Sequence, residues 1–351
     1  MAAPSLIERF NLRLPIVQAP MAGGATTPTL VAEVCQAGAL GFLAAGFLSP
    51  EQIVLQADEI MAKTNRAFGI NLFVLSEEES KNVKGDLPAW LAEMYWQRGL
   101  PLPAPEQAAP LFEQQFDALL AAQPAVASFT FGIISDEHVR ELKKRNIAVV
   151  GTVNHAEEAR QWADLGADAV VVQGGEAGGH RGGFMPQYVA QPMGLRPLLT
   201  QCRQSVRIPL WAAGGLMTGQ AVAAVQNMGA EAAQMGTAFL STHESGIHPA
   251  YKNVLLDVQR GITVHTKLWS GKMARGIVNR FLRENMAHEN ETLPYPLHHA
   301  MTQALRAQAA KEGDVEYMAL WAGRGVTLCR DLSVADLLNE LETEYMQAVS
   351  R

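Results

Sequence analysis

The sequence predicts an α/β protein, a (β/α)8 TIM barrel with an inserted segment after strand 3 and a C-terminal helical region over the barrel mouth. Three observations carry that reading. Short apolar runs of the kind that make buried strands recur about eight times before residue 236. A phrase in which a helix ends at glycine and a small residue leads into an apolar run appears three times, at Gln36-Ala37-Gly38-Ala39-Leu40-Gly41, Leu165-Gly166-Ala167-Asp168-Ala169-Val170 and Met228-Gly229-Ala230-Glu231-Ala232-Ala233. Glycine relieves the left-handed turn after the last helical residue, so each phrase is a tight αβ connection. Finally, the late strands open into glycine, as expected where a barrel's strand ends approach a ligand.

Taken in order, the strands are expected near 16–18, 41–44, 68–73, 127–130, 148–152, 169–173, 210–213 and 232–235. The helix before the sixth strand has Asn154 as a candidate cap with Glu157 three residues on, and Ala159, Trp162 and Leu165 on one face. The segment 76–124 is rich in proline, Trp and acidic residues, and reads as an insertion that extends over the active-site face as a lid or substrate wall. Residues 1–243 then form the barrel domain, and 244–351 a mainly helical region completing the site, with helical stretches at 297–311 and 334–349.

Bulk properties exclude several classes. The chain has 351 residues, 48% of them hydrophobic and 18% charged, which fits a folded enzyme-sized protein. A net charge of −7 argues against nucleic-acid binding. No apolar run is long enough to cross a membrane, and the start, Met1-Ala2-Ala3-Pro4-Ser5-Leu6-Ile7-Glu8-Arg9, lacks a basic-then-apolar leader, so a cytoplasmic protein is expected. Cys35, Cys202 and Cys329 are far apart and read as reduced, partly buried thiols.

The chemistry concentrates in Val170-Val171-Val172-Gln173-Gly174-Gly175-Glu176-Ala177-Gly178-Gly179-His180-Arg181-Gly182, a strand that discharges into a glycine-framed histidine. His180, beside Gly178 and Gly179, is the catalytic candidate, and the other eight histidines read as surface or structural. Gly214-Gly215 and Gly236-Thr237 follow consecutive late strands, where backbone N–H groups and a threonine hydroxyl suit a phosphate. Gln18, Asn71 and Gln173 are amides at strand ends, satisfied either by backbone or by a ligand with mixed donors and acceptors, such as a flavin. Met21 and Ala22, in Gln18-Ala19-Pro20-Met21-Ala22-Gly23-Gly24, suit the side of a flat ring. Zinc-type pairs, a Gly-x-Ser-x-Gly elbow, a Walker loop and a Rossmann fingerprint are all missing.

Together with Gly69-Ile70-Asn71-Leu72-Phe73, Ser128-Phe129-Thr130-Phe131-Gly132 and Gly271-Lys272-Met273-Ala274-Arg275, these segments resemble the nitronate monooxygenase family, formerly the 2-nitropropane dioxygenases, over nearly the whole chain. Tyr295-Pro296-Leu297 and Leu320-Trp321-Ala322-Gly323 look like its bacterial class I branch. The resemblance implies non-covalent FMN held by Asn71, Gln173, Gly178, Gly215 and Gln234, Met235, Gly236 and Thr237, with His180 as the active-site histidine. It also implies that O2 oxidises alkyl nitronates, such as propionate 3-nitronate, to a carbonyl compound and nitrite through an anionic flavin semiquinone, a detoxifying reaction of a monomer or homodimer. The rival readings are an FMN-dependent NAD(P)H:quinone or enoyl-thioester reductase on the same barrel, and a flavoprotein without turnover. Two departures from the family pattern, Ile133-Ile134 and Arg324, are expected to alter the substrate wall.

Overall fold

Eight parallel strands wind into one barrel because each pairs with the next through a right-handed helical crossover. In the computed structural model, which describes residues 5–350, they are β1 (Ile16–Gln18), β2 (Phe42–Ala44), β3 (Gly69–Phe73), β4 (Val126–Thr130), β5 (Ala148–Val153), β6 (Ala169–Gln173), β8 (Leu210–Ala213) and β9 (Ala232–Met235). A two-residue strand, β7 (Gly179–His180), joins β10 (Thr263–Thr266) and β11 (Ala274–Ile277) in a separate antiparallel sheet. The barrel order runs β2-β3-β4-β5-β6-β8-β9-β1. It closes where Val17 bridges Leu40, with the Gln18 N–H donating to the Leu40 carbonyl at 2.9 Å. All eight expected strands are present within a residue or so of their expected bounds. The leader reading at Met1-Ala2-Ala3-Pro4 lies outside the described residues.

Alternation sorts the strand side chains into two layers. Val17, Phe42, Val126, Val150, Val171, Trp211 and Ala232 fill the barrel interior. Ile16, Leu43, Ile70, Phe129, Val149, Val172 and Leu210 pack outward against the helices. Each such aliphatic side chain contributes about 1.5–3 kcal/mol on burial. The short helix Leu6–Arg9 plugs the barrel floor, where Glu231 accepts the Leu6 N–H and the Trp211 indole N–H, both at 2.9 Å. Trp162 lies against β5, and a Cβ on Gly151 would sit 2.1 Å from its ring. Gly38, Gly166 and Gly229 adopt φ of +88°, +89° and +92°, the left-handed helix stops that the repeated phrase predicts.

Two expectations are corrected. The helix Ala156–Asp164 is capped by His155 with Glu158 at its third position, so Asn154 is freed for another task. The segment 76–124 is only partly an insertion. Its last helix, Phe112–Ala122, packs on the helix Pro50–Lys63 and on β3 as the barrel's own crossover. The earlier part puts Trp90, Leu91 and Tyr95 into a satellite core with Trp269, Phe281 and Leu305, so it buttresses the C-terminal region. That region contains the β10–β11 hairpin, which alternating composition too weak to read had concealed. Among the described residues no helix is long and apolar enough to cross a membrane, and no cluster of His, Cys, Asp or Glu has metal-binding geometry.

Candidate active site

Strand parity decides which of the candidate amides face the mouth. On β6 and β9 the inward positions end at Gln173 and Gln234, in step with Val171 and Ala232 below them, and on β3 Asn71 faces inward between Gly69 and Phe73. Gln18 and Met235 fall on the outward parity. Gln18 is fully buried, its Oε1 accepting the Phe42 N–H at 2.9 Å and its Nε2 donating to the Ala19 carbonyl. The Met235 side chain is part of the outer core. Both therefore support the mouth from behind, and only their backbone lies near it.

The inward amides differ in what they have left to offer. Asn71 donates to Ser128 Oγ at 2.9 Å. Gln173 accepts from Asn154 Nδ2 (3.0 Å) and from the Gly182 N–H (2.8 Å), and donates to the His180 carbonyl (3.0 Å), pinning the histidine segment onto β6. Gln234 has no hydrogen-bond partner among the described residues and remains open.

Glu158 anchors the same segment from the other side. Fully buried, it accepts N–H groups from Asn154, His155, Phe184 and Met185. His180, expected in an open loop, is instead a strand residue: β7 pairs with β11, Ala274 opposite His180. Its Nε2 lies 2.8 Å from Ser270 Oγ, and Ser270 also lies 3.1 Å from the Lys272 carbonyl. The single Ser270 proton has two acceptors. Pointed at Nε2, it leaves the ring proton on Nδ1 as a donor; pointed at the carbonyl, it leaves Nδ1 as an acceptor.

Beside His180 runs a closed circuit of ring contacts. Phe47 meets Phe73 (5.2 Å), Phe73 meets Phe131 (4.5 Å), Phe131 meets Tyr295 (5.4 Å), Tyr295 meets His299 (6.2 Å), and His299 stacks back on Phe47 (4.4 Å). His180 touches Phe131, Tyr295 and Trp321 at 5.9, 5.7 and 5.3 Å. Phe131 holds φ of +75°, a conformation costing on the order of 1–3 kcal/mol for a residue with a Cβ, which directs its ring into this circuit.

His180, His299, Lys272 and Arg306 are half-buried and close enough to act on one another's charge, and the partly accessible space that they share is the hollow of this site. Lys272 Nζ stands 4.7 Å from the Phe131 ring and forms no ion pair among the described residues. The hollow is therefore cationic. Burial, helped by Lys272 and then Arg306, pushes the His180 pKa down to about 3, so the imidazole is neutral at pH 7. Burial first and then Arg306 likewise hold His299 well below its ordinary value.

Beside the hollow lie the glycine loops. Gly214 and Gly215 have φ of +120° and +72°, which places their N–H groups in a turn that a side chain would strain. Gly236 starts a single helical turn, Thr237–Leu240. Thr237 Oγ1 accepts the Gly323 N–H at 2.9 Å, leaving its own proton to donate. Met21 Sδ lies 3.8 Å from where a Cβ on Gly236 would stand, with Ala22 next in the same turn. Gly178 is needed for a close approach, since a Cβ there would meet the Gly323 nitrogen at 2.5 Å, whereas Gly179 (φ +69°) faces open space.

Ile134 is buried in the barrel core with Ile133 against it, and Arg324 borders a cleft of about 350 Å³ with Gly214, Gly215, Glu176 and Leu195. Sequence reasoning missed His299, Lys272 and Arg306. His298 and His299 do face apart, as adjacent helical residues must: His298 is fully buried on the Leu268 carbonyl, and His299 turns into the hollow.

A family model for nitronate monooxygenases matches residues 5–344. The chain belongs to the nitronate monooxygenase family. It is 38% identical over 343 residues to a probable nitronate monooxygenase of Bacillus subtilis, covering 95% of this chain and 97% of that one. A probable nitronate monooxygenase of Staphylococcus aureus is 37% identical over 347 residues, 96% of each chain. Among solved structures, nitroalkane oxidase from Streptomyces ansochromogenes superposes with a TM-score of 0.90 at 38% identity, covering 99% of both chains. FabK from Thermotoga maritima is more distant, with a TM-score of 0.78 at 26% identity over 99% of this chain and 97% of that one. These matches make the chain an oxidoreductase of the nitronate monooxygenase type on a (β/α)8 barrel, and the reductase alternative is the less favoured reading.

Proposed function

We propose that this enzyme uses FMN and O2 to oxidise alkyl nitronates, propionate 3-nitronate among them, to a carbonyl compound and nitrite. The observation that carries the reading is the hollow itself: an aromatic enclosure with unpaired buried cations beside a neutral histidine, fitted to a small organic anion. FMN supplies the redox chemistry when bound. The donor set fits it: Gly214, Gly215, Gly236 and Thr237 for the phosphate, Asn71, Gln173 and the free Gln234 amide for mixed donors and acceptors, and Met21, Ala22, Gly178 and Gly179 as its close walls. Gly215→Val forces a β-branched residue into the left-handed region and is expected to give colourless protein, checked by flavin absorbance after gel filtration.

Within this reading the nitronate arrives already ionised. Lys272 attracts it, and the His180 Nδ1–H donates to its oxygens when the Ser270 hydroxyl turns to Nε2. The aromatic circuit excludes bulk water, which strengthens both interactions. A base with a pKa near 3 is too weak to take a proton from carbon, so neutral nitroalkanes are expected to react with a kcat/KM at least about 100-fold below that of the matching nitronates at pH 7.

The pH profile follows with a definite sign. His180 loses its proton as pH rises through about 3, so the active neutral form is complete above pH 5. For pre-formed nitronate, kcat/KM is expected to be flat on the acid side down to pH 5, as read by nitrite release from freshly diluted anion. An acid limb near pH 6.5 would mean that the protonated imidazole is the working form.

A further inference from the structure

Arg306 is the group in the hollow that the reading above leaves unused. It stands on the helix Gln303–Glu312, where Nε donates to Thr302 Oγ1 at 3.3 Å and Nη2 to the His299 carbonyl at 2.7 Å. Nη1 has no acceptor, and no carboxylate lies within salt-bridge distance among the described residues. Acids on or next to the same helix exist, but Glu312 and Asp314 are committed to Arg98, at 3.6 and 2.9 Å. Below the guanidinium lies the neutral His299 ring, with Nε2 3.2 Å from Nη2. The Tyr295 hydroxyl, buried with no partner, feels the same charge.

A buried guanidinium without a counter-ion is costly unless a ligand brings one. The nitronate answers to Lys272 and His180, and the phosphate of the cofactor answers to the glycine loops. One cation remains, and its free Nη1 suits a charge-assisted hydrogen bond to a carboxylate oxygen. We infer that Arg306, with the Tyr295 hydroxyl beside it, is a separate anchor for a carboxylate at the far end of the substrate, and so determines preference for carboxylated over plain alkyl nitronates. This rests on the nitronate reading of the same hollow.

The test compares Arg306→Gln and Arg306→Lys holoenzymes on propionate 3-nitronate and on propyl-1-nitronate, which has methyl in place of carboxylate. Arg306→Gln is expected to lose about 10- to 100-fold in kcat/KM toward the carboxylated substrate, mostly through KM. The loss toward propyl-1-nitronate is expected to be about 3-fold or less, and Arg306→Lys to retain an intermediate preference. Equal losses on both substrates, no change on either, or a preference abolished by Lys272→Met and kept in Arg306→Gln overturns the assignment. Calorimetric titration with propionate, which needs no turnover, separates this from the reaction itself. Propionate binding that vanishes in Arg306→Gln supports the anchor even if wild-type enzyme oxidises no nitronate, and binding unaffected by the substitution overturns it.

Discussion

His180→Asn is expected to lower kcat/KM toward alkyl nitronates by about 100- to 1000-fold while the protein stays yellow. The size follows from how the ring is held. Its backbone is fixed twice, by pairing with Ala274 and by the Gln173 amide on its carbonyl, and its Nε2 is fixed by Ser270. Only Nδ1 is left for the substrate, and an asparagine that reaches Ser270 has no second nitrogen to present there. The proposed cofactor donors lie on other strands, so the flavin spectrum is expected to be unchanged. Steady-state kinetics with the absorbance spectrum of the same sample check both halves, and unaltered turnover removes His180 from the reaction.

The second large effect is on folding. Glu158→Ala orphans four backbone N–H groups at once, the buried one of Asn154 and the half-buried ones of His155, Phe184 and Met185. An unsatisfied buried group costs about 1–3 kcal/mol and a half-buried one less, so a loss of about 2–4 kcal/mol is expected, read as a fall in the urea midpoint. The carboxylate ties the cap of one barrel helix to the segment that follows His180, so the stability and placement of the histidine are lost together. A midpoint unchanged by the substitution contradicts this role. Glu158→Gln, keeping one acceptor oxygen, is expected to fall between wild type and alanine.

Much of this was legible in the sequence because barrel strands announce themselves through local rules. The helix-stop glycines Gly38, Gly166 and Gly229 and the apolar runs behind them need no distant contact to be read. His180 was found the same way, from the strand before it and the glycines around it. Gln18 and Met235 show where such reading needs one more step: inward and outward positions alternate, and counting from the inward Val17 on β1 and Ala232 on β9 puts both side chains on the outer face. The cations of the hollow had no local signature. Lys272 lies in the turn between β10 and β11, and Arg306 on a helix whose neighbouring acids are taken by Arg98. Lys272 reaches His180 because β11 pairs with β7, and Arg306 because its helix, through Leu305, shares a core with the insertion around Trp269 and Phe281. That juxtaposition is a property of packing between segments some 200 residues apart, such as Tyr95 donating to the Met301 carbonyl across 206 positions.

The central claim is tested most directly by mixing the purified protein with propionate 3-nitronate in air and measuring nitrite and oxygen together, with NADH plus a quinone in a parallel reaction. Nitrite formed as oxygen is consumed, with no oxidation of NADH, is the predicted result. Rapid NADH oxidation with indifference to the nitronate contradicts it and moves the chain to the reductases.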